Sequence, residues 1–167
     1  MPAPKEPGQP LTTISCSPDS APSAAALSQR GCNVVGVETN PTKLSMLQRG
    51  ESPIREPGLP ELLKDMTQQG RFAATDDITQ AVADADVVVS SGGVSMGKFD
   101  FVHEALRSTG VEERFWKVAQ KPAKPLYFAA GKRALFFGLP GNPVSVTVAF
   151  IEYVWPALAT LGRRAAQ

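Results

Sequence analysis

Histidine occurs once, at His103, and cysteine twice, at Cys16 and Cys32. The two cysteines have neither CxxC nor zinc-ligand spacing, so no disulfide framework is implied and a reducing cytoplasm is the expected setting. His103 has no companions for a metal site and reads as a surface or packing residue. Neither sign of charge is in excess, since 17 Lys and Arg against 16 Asp and Glu leave +1. No overall field marks the chain for nucleic acid or a membrane surface, and neither partner is expected. The longest apolar stretch, VSVTVAFIEYVWPALATLG, contains Glu152 and Pro156 and reads as a buried or packing helix rather than a membrane span. The opening MPAPKEPGQPL is proline-rich without an apolar core, so residues 1–11 read as an irregular arm and not as a signal peptide. What remains is an ordinary composition, 43% hydrophobic and 20% charged over 167 residues, enough for one sizeable core.

Along that chain, short apolar runs alternate with helical patterns. TTIS (12–15) predicts a short strand, followed by a Ser/Pro/Ala stretch that becomes a helix through about Arg30, with Gly31 as its stop. NVVGVE (33–38) has the character of a buried parallel strand, and Asn40-Pro41 restarts the chain as a helix. GESPIREPGLPELL is a proline-punctuated loop into a second helix ending near Gly70. FAAT is a weak strand, Asp76 or Asp77 caps ITQAVADA, and DVVVS (86–90) is the clearest strand. FDFVHEALRST predicts a helix, and RFWKVAQK an extended segment halted by Pro122. PLYFAA and RALFFGL predict a hairpin over Gly131-Lys132, and Asn142 caps a long C-terminal helix. The alternation predicts one α/β domain over 12–167, a three-layer α/β/α arrangement with a mainly parallel sheet.

In open α/β sheets, ligands sit in the crevice at the carboxyl ends of the strands. Two strand-to-helix corners have the residues for such a place. In SSGGVSMGKFD, Gly92 and Gly93 allow positive φ and close backbone approach, and Ser90, Ser91 and Ser95 offer hydroxyls, with Gly97 closing the loop. The helix expected after it presents free N–H groups, suited to a phosphate. The second corner, FFGLPGNPVSV, runs through Pro140, Gly141 and Asn142 to Ser145 in the first helical turn, a second candidate anion cradle. Glycines also make tight turns and Asn-Pro also starts helices, so each corner alone leaves a purely structural role open.

Between the corners stands FWKVAQKPAKP. In an extended strand Lys117, Ala119 and Lys121 share one face, and two ammonium groups on one face call for an anion or carboxylate opposite. Each charge-assisted hydrogen bond to such a partner contributes about 1.5–3 kcal/mol. The alternative is a solvated edge strand defended by lysines. Trp116, alternating with Lys117, is expected to point into the core.

SSGGVSMGKFDFV, FWKVAQKPAKP and GLPGNPVS followed by an apolar helix together resemble the molybdopterin molybdotransferase family, of the MoeA and gephyrin E-domain type, over about residues 85–163. The resemblance implies molybdenum-cofactor biosynthesis: binding of adenylylated molybdopterin and help in inserting molybdate into its dithiolene, with AMP released. It implies Asp100, Lys117 and Lys121 as catalytic residues, with Asp100 orienting a magnesium ion or a water. Ser90, Ser91, Gly92, Gly93, Ser95 and Gly97 then form the pterin- and phosphate-binding loop, joined by Pro140, Gly141, Asn142 and Ser145. Ala123 departs from the family, which usually has glycine between the KP pairs. The family's TGDE-like strand end in the first half of the domain is also missing.

The first half resembles another family. SAAALSQRGCNVVGVETNPTKLSMLQRGESPIREPGLPELL followed by GRFAATDDITQAVADADVVV is similar to the NAD-binding domain of UDP-glucose and GDP-mannose dehydrogenases, over about residues 12–89. That family's G-x-G-x-x-G positions are held here by Ser15, Ser17 and Ser20, whose side chains block the close approach of a pyrophosphate. Glu38 keeps the acidic character that the family uses toward a ribose. The DADVVV strand belongs to both patterns, so the chain reads as a hybrid. Two alternatives accompany the main reading: an NAD-binding remnant of a nucleotide-sugar dehydrogenase, and a non-catalytic chimeric domain. The expected partner is a small pterin or nucleotide ligand, with a homodimer left open.

Overall fold

The computed structural model describes residues 12–16, 27–28, 31–91, 111–131 and 134–165. Within them lie seven strands: β1 Thr12–Cys16, β2 Asn33–Val37, β3 Phe72–Thr75, β4 Val87–Ser91, β5 Glu112–Trp116, β6 Tyr127–Ala130 and β7 Leu135–Leu139. The helices are α1 Pro41–Gln48, α2 Leu59–Gln68, α3 Ile78–Asp84 and α4 Pro143–Ala149, which runs through a π-helical turn, Phe150–Val154, into α5 Trp155–Ala165. The helices expected before Gly31 and over FDFVHEALRST lie outside the described residues, apart from Leu27 and Ser28.

Local chemistry places most of these boundaries. Asn40 caps α1, its side chain accepting from the N–H groups of Thr42 at 3.0 Å and Lys43 at 3.1 Å, with Pro41 in the first helical position. Asp77 caps α3 by accepting from the N–H of Gln80 at 2.9 Å. Gly31, at φ +94°, donates to Ser28 O and turns the chain toward β2.

The strands form a single sheet in the order β3-β2-β1-β4-β7-β6-β5. From β3 to β7 every pairing is parallel, while β6 is antiparallel to β7 and β5 antiparallel to β6. The α/β class and the mainly parallel sheet are as expected, with four of the six pairings parallel. β4 is the central strand, with the three strands of the dehydrogenase-like half on one side and β5–β7 on the other. Val87, Val88 and Val89 are all buried, because helices cover both faces of the sheet at this point.

On one face, Leu47, Leu59, Leu63 and Met66 of α1 and α2, with Ala149, Val154 and Leu158 of the C-terminal helix, pack on Val34, Val87, Val89, Phe137 and Leu139. On the other, Ala81 and Val82 of α3 pack on Val37, Val88, Tyr127, Ala129 and Phe136. Pro143–Gly162 is long and apolar enough to cross a membrane by length and composition alone. Only 17% of its apolar window is buried: Ala149, Val154 and Leu158 pack on the sheet, while Val144 and Ile151 stay exposed.

Two glycines separate backbone strain from side-chain crowding. Gly50 (φ +73°) and Gly70 (φ +69°) are both left-handed, but a Cβ at Gly50 would stand 3.2 Å from Lys64 Cα and from the Thr67 side chain, whereas at Gly70 nothing lies within 4 Å. Both alanine variants carry the left-handed penalty of about 1–2 kcal/mol, partly offset by a less flexible unfolded chain. Gly50→Ala is expected to destabilise by about 1 kcal/mol more than Gly70→Ala, since Lys64 Cα is backbone and yields little. Parallel urea titrations compare them, and equal losses would mean that α2 moves aside freely.

Candidate functional site

The register aligns one row of residues across the sheet: Thr75, Val37, Cys16, Ser90, Gly138, Tyr127 and Trp116. This row marks the carboxyl edge of every parallel strand. Because β5 and β7 point the same way, β5 also ends there. The chain leaves β1 for β2 on one side, while β4 pairs on the other, so the strand order reverses between β1 and β4, the position where such sheets hold ligands.

Both corners therefore open on one edge, side by side. Ser91 of β4 is in register with Leu139 of β7, so the first corner starts beside Pro140, Gly141 and Asn142. Ser90 is buried and Ser91 half-buried. Gly92, Gly93, Ser95, Gly97 and Asp100 lie outside the described residues, as does His103. At the second corner Pro140 is buried, Gly141 and Asn142 are exposed, and Ser145 is half-buried. The Asn142 side chain accepts from the N–H of Val144 at 3.1 Å and of Ser145 at 3.3 Å. Two of the N–H groups expected to cradle an anion are thus already satisfied by the cap. Asn142→Ala is expected to lower stability by about 1 kcal/mol, the usual cost of a lost cap, in thermal denaturation. A variant of unchanged stability would show that the cap holds nothing.

The lysine segment differs from its expected form. The strand ends at Trp116, and Lys117 takes φ +76°, so the alternation that put Lys117, Ala119 and Lys121 on one strand face does not continue past it. The segment from Lys117 to Leu126 is a closed loop instead: Lys117 N–H donates to Leu126 O at 2.8 Å and Val118 N–H to Lys124 O at 2.9 Å. The Tyr153 hydroxyl ties it to the C-terminal helix by donating to Gln120 Oε1 at 2.5 Å. Ala123, at φ +83° and buried, occupies a backbone position that suits glycine, which is the residue the resembled family usually has there. Lys117 and Lys121 are both exposed, and among the described residues neither pairs with a carboxylate. At about 4.8 Å per strand, the end of β5 lies roughly 14 Å from the end of β4, a span suited to an extended ligand rather than to a single anion.

Trp116 also departs from its expected place. It is 44% exposed rather than in the core, and Lys117 Nζ lies over its ring at 4.5 Å from the centroid. The reason is topological: β5 is the last strand of the sheet and all five of its residues are exposed. Strand periodicity separates the faces of Phe115 and Trp116, but it does not reveal that no further strand follows.

One further polar group flanks this edge, at the carboxyl end of β2, while Cys32 lies at the opposite end of the same strand. Glu38 follows β2, is buried, and accepts through Oε1 from the Asn40 N–H at 2.8 Å, while its Oε2 has no partner among the described residues. Burial pushes the Cys32 thiol above its ordinary pKa, against smaller opposing effects of Thr13 and Arg71, so it is a packing residue and a poor nucleophile. Among the described residues, no group of three or more His, Cys, Asp and Glu side chains gathers as a metal would require.

A three-layer α/β domain whose parallel strands end together on one carboxyl edge is a small-molecule binding domain in class. Residues 63–160, over half the chain, match the family model described as the probable molybdopterin binding domain, and the chain belongs to that family. Residues 20–96 match the NAD-binding domain of the UDP-glucose/GDP-mannose dehydrogenase family. The chain is a hybrid of the two patterns, and the matches overlap over residues 63–96 rather than meeting at about 85–89. That overlap contains the β3–α3–β4 unit, a parallel strand–helix–strand that serves either parent. A molybdopterin molybdenumtransferase of Nostoc sp. is 36% identical over 112 residues, covering 65% of this chain and 26% of that protein. A GDP-mannose 6-dehydrogenase of Pseudomonas aeruginosa is 31% identical over 162 residues, covering 83% of this chain and 37% of that protein. The solved GDP-mannose dehydrogenase structure from Pseudomonas aeruginosa superposes with a TM-score of 0.50 at 33% identity, covering 57% of this chain and 23% of that one. The chain thus spans about a quarter to just over a third of the length of these curated relatives.

Proposed function

We propose that this chain acts in molybdenum-cofactor biosynthesis, binding molybdopterin in its adenylylated form along the carboxyl edge of the sheet and assisting molybdate insertion. The observation that carries the reading is the meeting of the β4 and β7 corners, in register at Ser91 and Leu139, on the edge where β5 delivers Lys117. Loop hydroxyls and backbone from Ser90 to Gly97 and from Pro140 to Ser145 hold the ligand and its phosphates. Lys117 and Lys121 hold molybdate or phosphate as compact cations. Asp100 orients a magnesium ion or a water for the reaction. The near-neutral charge supports a cytoplasmic, small-molecule role without nucleic-acid or membrane partners, and a homodimer belongs to the same proposal.

Nucleotide binding inherited from the dehydrogenase pattern is the second reading, favoured by buried Glu38 at the end of β2 with an unpartnered Oε2. Ser15, Ser17 and Ser20 stand against it, since side chains there obstruct pyrophosphate. Equilibrium titration with molybdopterin, read by tryptophan fluorescence, tests the first reading, with NAD and UDP-glucose as parallel ligands. Saturable binding of molybdopterin is expected. Saturation by NAD with none by molybdopterin would reverse the order of the readings, and binding of none of the three would leave a chimeric fold without ligand function.

A further inference from the structure

Trp116 is a large aromatic ring left 44% exposed at the last position of β5, on the edge where the two corners open. Its position is well supported from behind. Phe115 points to the opposite face, where its ring contacts Phe128 at 5.4 Å and Phe128 contacts Phe137 at 4.9 Å. Trp116 shares its own face with Tyr127, its register partner, which is buried and meets Phe136 edge-on at 5.5 Å. A rigid indole with two rotatable bonds, anchored on a sheet, is a flat platform of low conformational entropy. The ammonium of Lys117 lies over one face of it at 4.5 Å.

From this we infer that Trp116 is the stacking platform for the planar pyrimidinone ring of the ligand's pterin, and that Lys117 exchanges its contact with the indole for one with the ligand's anionic groups. The inference rests on the molybdopterin reading above and assigns the two halves of that ligand to two adjacent residues. The backbone makes this exchange short: with φ at +76°, Lys117 turns back over its neighbour instead of following the strand. A ring entering against the indole takes the face that the ammonium covers, and the displaced cation meets the charge that arrives with it. Aromatic stacking of nucleic-acid bases on such side chains contributes about 1–3 kcal/mol per base, and the pyrimidinone ring of a reduced pterin offers a π-face of the size of a pyrimidine base.

The test separates ring from anion, using pterin-6-carboxylate as the ring probe and inorganic pyrophosphate as the anion probe. It is run in a Trp155→Phe background so that Trp116 is the sole emitter. Pterin-6-carboxylate should quench Trp116 saturably. By calorimetry, Trp116→Leu should weaken the pterin about tenfold and leave pyrophosphate unchanged, whereas Lys117→Ala should weaken pyrophosphate more than the pterin. Circular dichroism and melting curves confirm folding, which an exposed edge residue should barely affect. Molybdopterin binding that Trp116→Leu leaves intact overturns the stacking role while the molybdopterin reading stands. Absence of binding by both molybdopterin and pterin-6-carboxylate in the unaltered protein overturns both.

Discussion

Lys117→Ala is expected to weaken molybdopterin binding about ten- to a hundredfold. A charge-assisted hydrogen bond contributes about 1.5–3 kcal/mol, and each 1.4 kcal/mol is a factor of ten in affinity. Stability should stay within about 0.5 kcal/mol, because the side chain is exposed and pairs with no carboxylate among the described residues. The left-handed backbone at this position does not confuse the comparison, since alanine and lysine carry similar penalties at φ +76°. The loss should shrink as salt is added, in step with the weakening of the unaltered protein, because the contact is between exposed charges. Isothermal titration at two ionic strengths reads all of this. An affinity unchanged by the substitution would remove Lys117 from the site and, with it, the best-placed cation on the edge. Lys121 is the natural comparison: it lies within the loop beyond the end of β5, so its replacement should have the smaller effect.

The second large effect concerns the seam between the two halves. Phe136 of β7 and Leu63 of α2 are both fully buried, on opposite faces of the sheet and on opposite sides of β4. Phe136→Ala is expected to cost about 3–5 kcal/mol and Leu63→Ala about 2–5 kcal/mol, from lost transfer energy and the cavity left behind. Domains of this kind are stable by about 5–15 kcal/mol in all, so either change should lower the urea midpoint sharply. We expect each variant to unfold in one transition, followed identically by circular dichroism and by tryptophan fluorescence. The physical reason is that β4 hydrogen-bonds to β1 on one side and β7 on the other, making one continuous sheet. Two separated transitions, with each substitution shifting only one, would mean that the hybrid halves fold as independent units.

Much of this was legible from residues alone. Asn40, Asp77 and Asn142 announce helix starts because a cap is a contact between neighbours two or three residues apart, with no need for the rest of the fold. The run of valines before Ser90 announces a strand buried on both faces, and β4 is that strand, at the centre of the sheet. The hairpin of β6 and β7 follows from two apolar runs around a short loop. The dual character of DADVVV also shows in sequence, because a parallel strand reached through a helix looks alike in both parent families.

The lysine segment shows the limit. Period-two alternation is a correct rule inside a strand, but whether FWKVAQK remains a strand depends on what lies beside it. Lys117 and Val118 bond back to Leu126 and Lys124, so the backbone closes a loop where propensity alone extends a strand. The exposure of Trp116 is decided in the same way. An aromatic residue in a strand is buried when something packs on it, and only the order of strands in the sheet makes β5 the last one.

By itself, then, the sequence determined the elements, their caps, the hybrid pattern and the residue types at the two corners, since these depend on near neighbours and on side-chain chemistry. Tertiary structure alone decided that both corners and Lys117 share one edge. That convergence comes from long-range pairing, with β5 brought parallel to β7 through β6 and β7 placed beside β4, and no local propensity encodes which strands become neighbours.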